Sequence, residues 1–351
     1  MLLAFALTPC LLMAGCSQNR EASAPEEPVP LRVAIAPYQD MAMLVNAKEL
    51  GLEKKYGTKL ELLTVPWEEL FPTIASAGRT ADVGFASLAD YLAKTEKLNN
   101  QGDDPILYIY PAYVFRGGGF VSFNQAVPEI TPQALHDKAL LKQFLGFRFG
   151  AQKNSSCHML LWMIARKAGL KLSDLKFVDT TLNDGLLAAE QGSLDGTAVG
   201  LTQRTEALKH HGRVVVSMDT VGLVDIAGFI CKESVYKKRT RDIEALIRMW
   251  CDCTDYVTRD PENHGAATMA YLKANSSTTY TMEELKRAFS QEYFPKSVID
   301  AQQKILSKDG QYSIVRLAPL CNQYLLDIGA TKTSRPVPKT ISISNQVAGQ
   351  I

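Results

Sequence analysis

Two stretches of this 351-residue chain repeat one another in pattern, and that repeat limits the architectures open to it. The first, AGRTADVGFASLADYLAK, runs from Ala77 to Lys94; the second, EQGSLDGTAVGLTQRTEALK, runs from Glu190 to Lys209. Each holds a helix end, a glycine turn, an aspartate, a short apolar strand and a Val-Gly step. A small pair then opens another helical pattern: Ala86-Ser87 in the first copy, Thr202-Gln203 in the second. A strand feeding directly into a helix is the unit of an α/β sheet, and ligands of open α/β sheets sit beyond the carboxyl ends of the strands. Two such units in similar halves predict two lobes that face one another across a cleft. Ordinary βα turns also resemble each other through turn chemistry alone, so the rest of the chain has to support the pattern.

Strand and helix patterns alternate from Leu31 onward. LRVAIAP starts the series, Asp40–Leu50 reads as a helix stopped by Gly51, Lys59–Val65 as a strand and Trp67–Ala77 as a helix. Asp82–Phe85 is a short strand, Ser87–Lys97 a helix and Ile106–Phe115 a long strand whose Pro111 signals an edge or a bulge. A second series begins near Gly119, with strands at Phe144–Ala151, Leu175–Thr180 and Arg213–Met218 and a helix at Ser155–Ala168. The alternation predicts an α/β fold of mostly parallel sheets flanked by helices. After Asp225–Ser234 the pattern turns to helices only, and the Pro, Ser and Thr-rich tail at 331–351 reads as loosely held.

The chain is expected to cross between lobes near Arg116–Gly119 and again near Asp219–Asp225. Lobe one would then comprise residues 31–116 and 226–330, and lobe two residues 117–225. Two crossings make a hinge that permits closure. Gly117, Gly118 and Gly119 are read as supplying hinge or turn conformations there.

Lysine and arginine (38) nearly balance aspartate and glutamate (37), which argues against a nucleic-acid backbone binder resting on a basic surface. Leu2–Met13 is apolar but too short to span a bilayer, as suits a secretory signal. The small residues Ala14-Gly15 before Cys16 resemble the lipobox of bacterial lipoproteins, which implies cleavage before Cys16 and a lipid on its thiol. No Lys or Arg precedes the apolar run, and the alternative is a plain signal peptide with an incidental cysteine. Residues 17–30, polar and Pro-rich, read as a flexible tether. Five cysteines follow (Cys157, Cys231, Cys251, Cys253 and Cys321), and sequence alone does not give their pairing.

Catalytic signatures are absent: there is no GxSxG, no HExxH and no glycine loop ending in Lys-Ser/Thr. The five histidines are scattered, no spacing suggests a metal site, and no cofactor is implied. Cys157 and His158 are neighbours on a helix, so their side chains diverge. The strongest candidate for ligand contact is Gln152-Lys153-Asn154-Ser155-Ser156-Cys157-His158, where a strand meets a long helix. Free backbone N–H groups and serine hydroxyls there suit an anion or a strongly polar group, and the same residues suit a plain N-cap.

LRVAIAP, AKELGLEKKYGTKLELLTVPW, ADVGFAS, AQKNSSCHMLL and LNDGLLAAEQGSLDGTAVG occur in one order and spacing. Together they resemble the periplasmic binding proteins of nitrate/sulfonate/taurine and thiamine-precursor ABC transporters, over roughly Leu31–Phe229. The resemblance implies a two-lobed, type II periplasmic binding fold with ligand between the lobes. Carried over by position, the cleft would be lined by Tyr38, Gln39 and Asp40, by Trp67, and by Ala86 and Ser87. Lobe two would add Asn154, Ser155, Ser156, Thr202 and Gln203, with Asp225 beside the second crossing. Trp67 either stacks on a ligand or anchors a helix start.

The implied partners are a small-molecule ligand, an ABC permease with its ATPase, and the membrane through the lipid on Cys16. The protein would be an exported monomer that performs no chemistry. The ligand is left open between a sulfonate, nitrate or carboxylate and a flat heterocycle such as a pyrimidine. Two rivals remain: an exported enzyme using His158 or Asp225 as acid–base, and a ligand-sensing lipoprotein.

Overall fold

The computed structural model describes residues 29–76, 80–99, 104–276 and 278–343. The signal segment, Cys16 and the tether through residue 28 lie outside the described residues. Two sheets organise the chain. The first has the order β11-β4-β10-β3-β1-β2, from strands β1 (Leu31–Ile35), β2 (Leu60–Thr64), β3 (Val83–Ser87), β4 (Ile106–Phe115), β10 (Asp225–Lys232) and β11 (Glu292–Tyr293). The second has the order β7-β6-β8-β5-β9, from β5 (Gly119–Ser122), β6 (Arg148–Ala151), β7 (Lys176–Asp179), β8 (Gly196–Val199) and β9 (Arg213–Ser217). We call the body on the first sheet lobe one and the body on the second lobe two.

Both sheets are mixed rather than mostly parallel. β2, β1 and β3 run parallel, as do β7, β6 and β8. β10, β4 and β11 continue the first sheet antiparallel, and β5 and β9 continue the second in the same way. Helix crossovers within one sheet enforce parallel pairing. The strands at which the chain leaves one sheet for the other are released from that constraint, and these supply the antiparallel half of each sheet.

The chain passes between sheets from β4 to β5 and returns from β9 to β10. None of Gly117, Gly118 and Gly119 adopts a left-handed conformation. A Cβ on Gly117 would lie 2.5 Å from the Leu201 side chain, and one on Gly119 would lie 2.4 Å from the Val216 carbonyl oxygen. Close approach, not the expected hinge conformation, is what these glycines provide. Pro111 is tolerated in β4 because the register against β10 slips at its partner Gly228, and β11 pairs only with Val114 and Phe115.

Three further expectations change. Asp40–Leu50 is three short turns, Gln39–Ala42, Met43–Val45 and Asn46–Glu49, rather than one helix. Phe144 and Leu145 end the helix Lys138–Leu145 instead of starting a strand, since a continuous apolar run does not separate the two by period. The tail is tied down as far as Ile343. Asn322 exchanges hydrogen bonds with the Arg335 backbone at 2.7 and 2.8 Å, the Ile341 N–H donates to the Ile109 carbonyl, and Ile343 is buried.

Lobe one is held by an aromatic core. Phe85, Phe229 and Trp250 pack with ring centroids 4.6–5.7 Å apart, and the Trp250 indole donates to the Ala112 carbonyl at 2.8 Å. Trp250 comes from the long helix Glu233–Arg259, and each such buried ring is worth about 2–3 kcal/mol by burial alone. This core fixes the strand ends that carry the site.

Candidate functional site

A cavity of about 80 Å³ lies between the two sheets. Lobe one supplies the turn after β1 (Tyr38, Gln39, Asp40), Trp67 after β2, and Ser87 and Asp90 at the end of β3. It also supplies Tyr113 and Phe115 from β4 and Asp225 and Ala227 from β10. Lobe two supplies Gln152 and Ser155–Cys157 after β6, Leu182 after β7, and Val199–Gln203 after β8. These are carboxyl ends of parallel strands, except on β4 and β10, which reach the cavity through antiparallel pairing.

Of the residues chosen from sequence, Tyr38, Gln39, Asp40, Trp67, Ser87, Ser155, Ser156, Thr202, Gln203 and Asp225 are brought together on this wall. Ala86 and Asn154 are not. β3 runs through Ser87, so alternation along the strand turns Ala86 to the opposite face from Ser87. Asn154 takes a left-handed turn (φ 66°) that points its N–H at His158 Nδ1, 3.3 Å away.

Asp225 decides the character of the helix Ser156–Ala168. Its carboxylate accepts from the Ile226 N–H at 2.8 Å, from the Leu88 amide at the start of the helix Leu88–Asn99, and from the Ser156 hydroxyl. Burial pushes its pKa up to about 6 against the pull of those donors. Ser155 meanwhile caps the helix, its hydroxyl accepting from the His158 N–H at 3.2 Å. The helix start expected to receive an anion is therefore capped by Ser155 and faced by the chain's own carboxylate. A bound anion there would meet the charge of Asp225.

Asp40, buried at 5 % exposure, is likewise pushed up to about 6 by burial, with the Tyr113 hydroxyl and the Met41 amide pulling the other way. Glu292 beside it is raised further, by burial first and then by the charge of Asp40. The two carboxyl groups form an acid pair that holds a proton between them more readily than two separate carboxylates. Asp90 is raised by burial, opposed by Lys94, whose ammonium lies 2.8 Å away.

Polar side chains also link the lobes. Thr202 Oγ1 lies 3.1 Å from Gln39 Oε1, and the Tyr280 hydroxyl reaches both, at 2.9 and 3.1 Å. Gln39 Nε2 donates to Glu292 at 2.9 Å, and Gln203 Nε2 donates to the Tyr38 hydroxyl at 3.3 Å. Among the described residues, Gln203 Oε1 is a buried cavity-wall acceptor left without a partner, while Asp40 Oδ1 and Glu292 Oε2 have no donor other than the proton the two acids share. No Lys, Arg or His among the described residues lines the cavity.

His158 turns away from this space. Its Nδ1 lies 2.6 Å from the Tyr324 hydroxyl, its ring lies against Phe177, and burial lowers its pKa to about 4. It belongs to the contact between the helix Ser156–Ala168 and the helix Ile314–Asp327, which Trp162 extends by donating to Asp327 at 3.0 Å.

Sequence reasoning missed Asp90, Tyr113 and Phe115 as wall residues, and Glu292 and Tyr280 behind them; Gln152 and Cys157 lay within the segment it chose. Asp90 had a local signal: Ser87 three residues earlier caps its N–H at 3.1 Å, a recognisable helix start. Tyr113 and Glu292 had none, because strand registers place them there.

The model of the NMT1-like family matches residues 24–271. The chain belongs to the NMT1-like family. No curated protein matches it in sequence. Solved structures of the same fold include the periplasmic aliphatic sulphonate binding protein SsuA from Escherichia coli, with a TM-score of 0.62 at 14% identity over 92% of this chain and 97% of that one. A putative sulfonate ABC transporter, periplasmic sulfonate-binding protein SsuA, from Methylobacillus flagellatus gives 0.61 at 16% over 89% and 91%. The periplasmic nitrate-binding protein NrtA from Synechocystis gives 0.59 at 13% over 75% and 70%. The fold of this family member is thus that of the periplasmic binding proteins.

Proposed function

We propose that the protein is the exported, solute-binding component of an ABC importer, lipid-anchored through Cys16, which closes its lobes on a small hydrogen-bond-donating molecule. The preferred ligand is an amine-bearing planar heterocycle rather than a sulfonate or nitrate. The observation that carries this reading is a wall of acceptors, the unpartnered Gln203 Oε1 and the Asp40 carboxyl, with no basic side chain among the described lining residues. A buried acceptor without a donor costs about 1–3 kcal/mol, so a ligand that donates to Gln203 Oε1 relieves that penalty, and one that also donates to Asp40 favours its ionised form. An anion brings no donor and meets Asp40 and Asp225. Trp67 and Tyr38 bring aromatic surface to the cavity on which a flat ring would pack.

The cavity, at about 80 Å³, is well below the roughly 300–1,000 Å³ of pockets that enclose drug-sized ligands. The ligand is therefore small, and the lobes part to admit it. Ligand that favours the closed arrangement shifts the population toward it, and a permease that reads closure accepts only loaded protein.

Native mass spectrometry of the chain from residue 29 onward, followed by thermal-shift titration, tests the proposal. Cytosine and 4-aminopyrimidine should raise the melting temperature, whereas methanesulfonate and nitrate at equal ionic strength should not; at a hundredfold excess over Kd the gain is about 2.7 kcal/mol. Stabilisation by the anions alone would refute the ligand class. Recovery of a converted product in place of intact ligand would instead favour an enzyme.

A further inference from the structure

We propose a second binding site, for a compact oxyanion, at the outer seam between the lobes. A cavity of about 290 Å³ separates the helix Leu201–Lys209 of lobe two from the helix Met282–Ser290 of lobe one. Arg204 and Lys209 reach it from the first helix and Arg287 from the second. The spacing 204, 205, 208 puts these residues on a different face from Thr202 and Gln203, which turn toward the first cavity, while Leu201 lines both.

The cations here are unequally matched. Lys209 donates to the Thr279 carbonyl at 2.6 Å and pairs with Glu284 at 3.7 Å and Glu206 at 4.0 Å. Arg287 has one acid at the limit of contact, Glu283 at 3.5 Å, with both side chains mostly in water. Arg204, half-buried, makes no side-chain hydrogen bond or ion pair among the described residues. Its pKa is lowered by burial and by the charge of Arg287, with Asp219 opposing. A half-buried guanidinium without an acceptor, facing a second guanidinium from the other lobe, is an unfavourable arrangement unless an anion sits between them.

Guanidinium forks match the oxygens of a phosphate or a carboxylate two at a time. A phosphate or a small dicarboxylate in this cavity would satisfy Arg204 and Arg287 together, tying lobe two to lobe one. Glu284 confines the anion to the arginine end, because its own charge is already engaged with Lys209. Since this helix also carries Thr202 and Gln203, anion binding and cleft closure favour one another by the same factor in both directions. The site itself stands independently of what the cleft binds.

Isothermal titration of the chain with inorganic phosphate, and separately with succinate, at an ionic strength fixed by sodium chloride is the direct test. The expected result is saturable one-to-one binding of phosphate, succinate or both, which distinguishes the two oxyanion sources. Arg204→Gln and Arg287→Gln should each weaken it by about 10–100-fold, the loss of one charge-assisted contact. Arg204→Lys, which keeps charge and stem, covers the case in which Arg204→Gln fails to fold; it too should bind more weakly for want of the fork. Trp67→Ala in the cleft should keep saturable one-to-one phosphate binding, shifted by no more than the coupling between the two sites. No binding beyond the chloride control, unchanged binding by the Arg204 variants, or loss of binding in Trp67→Ala would each overturn the proposal. The last outcome would put the anion in the cleft.

Discussion

The two walls of the central cavity are unlike. Lobe one contributes every charged group and every aromatic ring: Asp40, Asp90 and Asp225, with Tyr38, Trp67, Tyr113 and Phe115. Lobe two contributes amides, hydroxyls, a thiol and aliphatic groups, with no charge at all. A charge buried in a rigid wall supplies strong, directional recognition but is costly to move. A neutral wall can open and close without repeatedly desolvating an ion. Under the proposed function, the contrast would give ligand chemistry to lobe one and closure to lobe two, and each of the following tests strains that division.

Asp225 is where a lobe-one charge touches lobe two, so its loss should have the largest effect. Asp225→Ala strands the Leu88 and Ile226 amides and the Ser156 hydroxyl, and should cost about 3 kcal/mol of stability in urea denaturation. Asp225→Asn, which keeps an acceptor, should lose less. Equal losses would mean that charge, not capping, is what the site needs.

Ligand affinity should separate the walls next. For an amine ligand recovered from the protein, Asp40→Asn should weaken binding by about 10–100-fold, a charge-assisted hydrogen bond's worth, and Gln203→Ala by less than about tenfold. A larger effect at Gln203 would reverse the assignment.

The pH dependence follows from the raised carboxyls. Folded Asp40 titrates at about 6, above the value of about 3.9 of a free aspartate. Between those pH values the folded chain holds more protons than the unfolded one, so this group's stabilising contribution falls as pH rises from about 4 to about 6 and then levels. Asp225 acts in the same direction. Asp40→Asn should flatten part of the slope in urea midpoints measured across that window. Amine binding runs the other way, tightening as Asp40 ionises, whereas an anionic ligand would bind more weakly.

The smallest effect belongs to the latch. Thr202→Val removes the hydroxyl shared with Gln39 and Tyr280 and should cost about 1 kcal/mol or less, read as a modest loss of melting temperature. A loss as large as that of Asp225→Ala would make lobe two more than a neutral lid.

Much of this was legible in the sequence where the information is local. The strand-to-helix units at Val83–Ser87 and Gly196–Val199 follow from apolar runs, turn glycines and helix starts, and these lead straight to Ser87, Thr202 and Gln203. Asp40 and Trp67 came from the family resemblance, carried over to the turns that follow β1 and β2. What the sequence concealed is long-range. Glu292 joins Asp40 because a two-residue strand pairs with Phe115 and Val114, and Tyr113 faces the cavity because β10 lies antiparallel to β4. Neither register has a nearby pattern to announce it. The anionic reading of the Ser155–Ser156 helix start could not anticipate Asp225, which arrives from about 70 residues later in the chain to face the same spot.

All five described cysteines are buried as free thiols, and one of them is placed differently from the others. Cys157 sits in the cavity wall with its thiol toward the Gly119 and Val199 carbonyls, its pKa pushed up to about 12 by burial. Shut, the cleft keeps that sulfur protonated and out of reach of reagents. Parted lobes would expose it, while Cys231, Cys253 and Cys321 stay inside packed cores until the chain unfolds and Cys251, which lines a separate cavity, is removed by Cys251→Ser for the measurement. The rate at which a maleimide consumes this one sulfur thus counts openings of the native protein, and a ligand that slows the count is one the cleft has accepted.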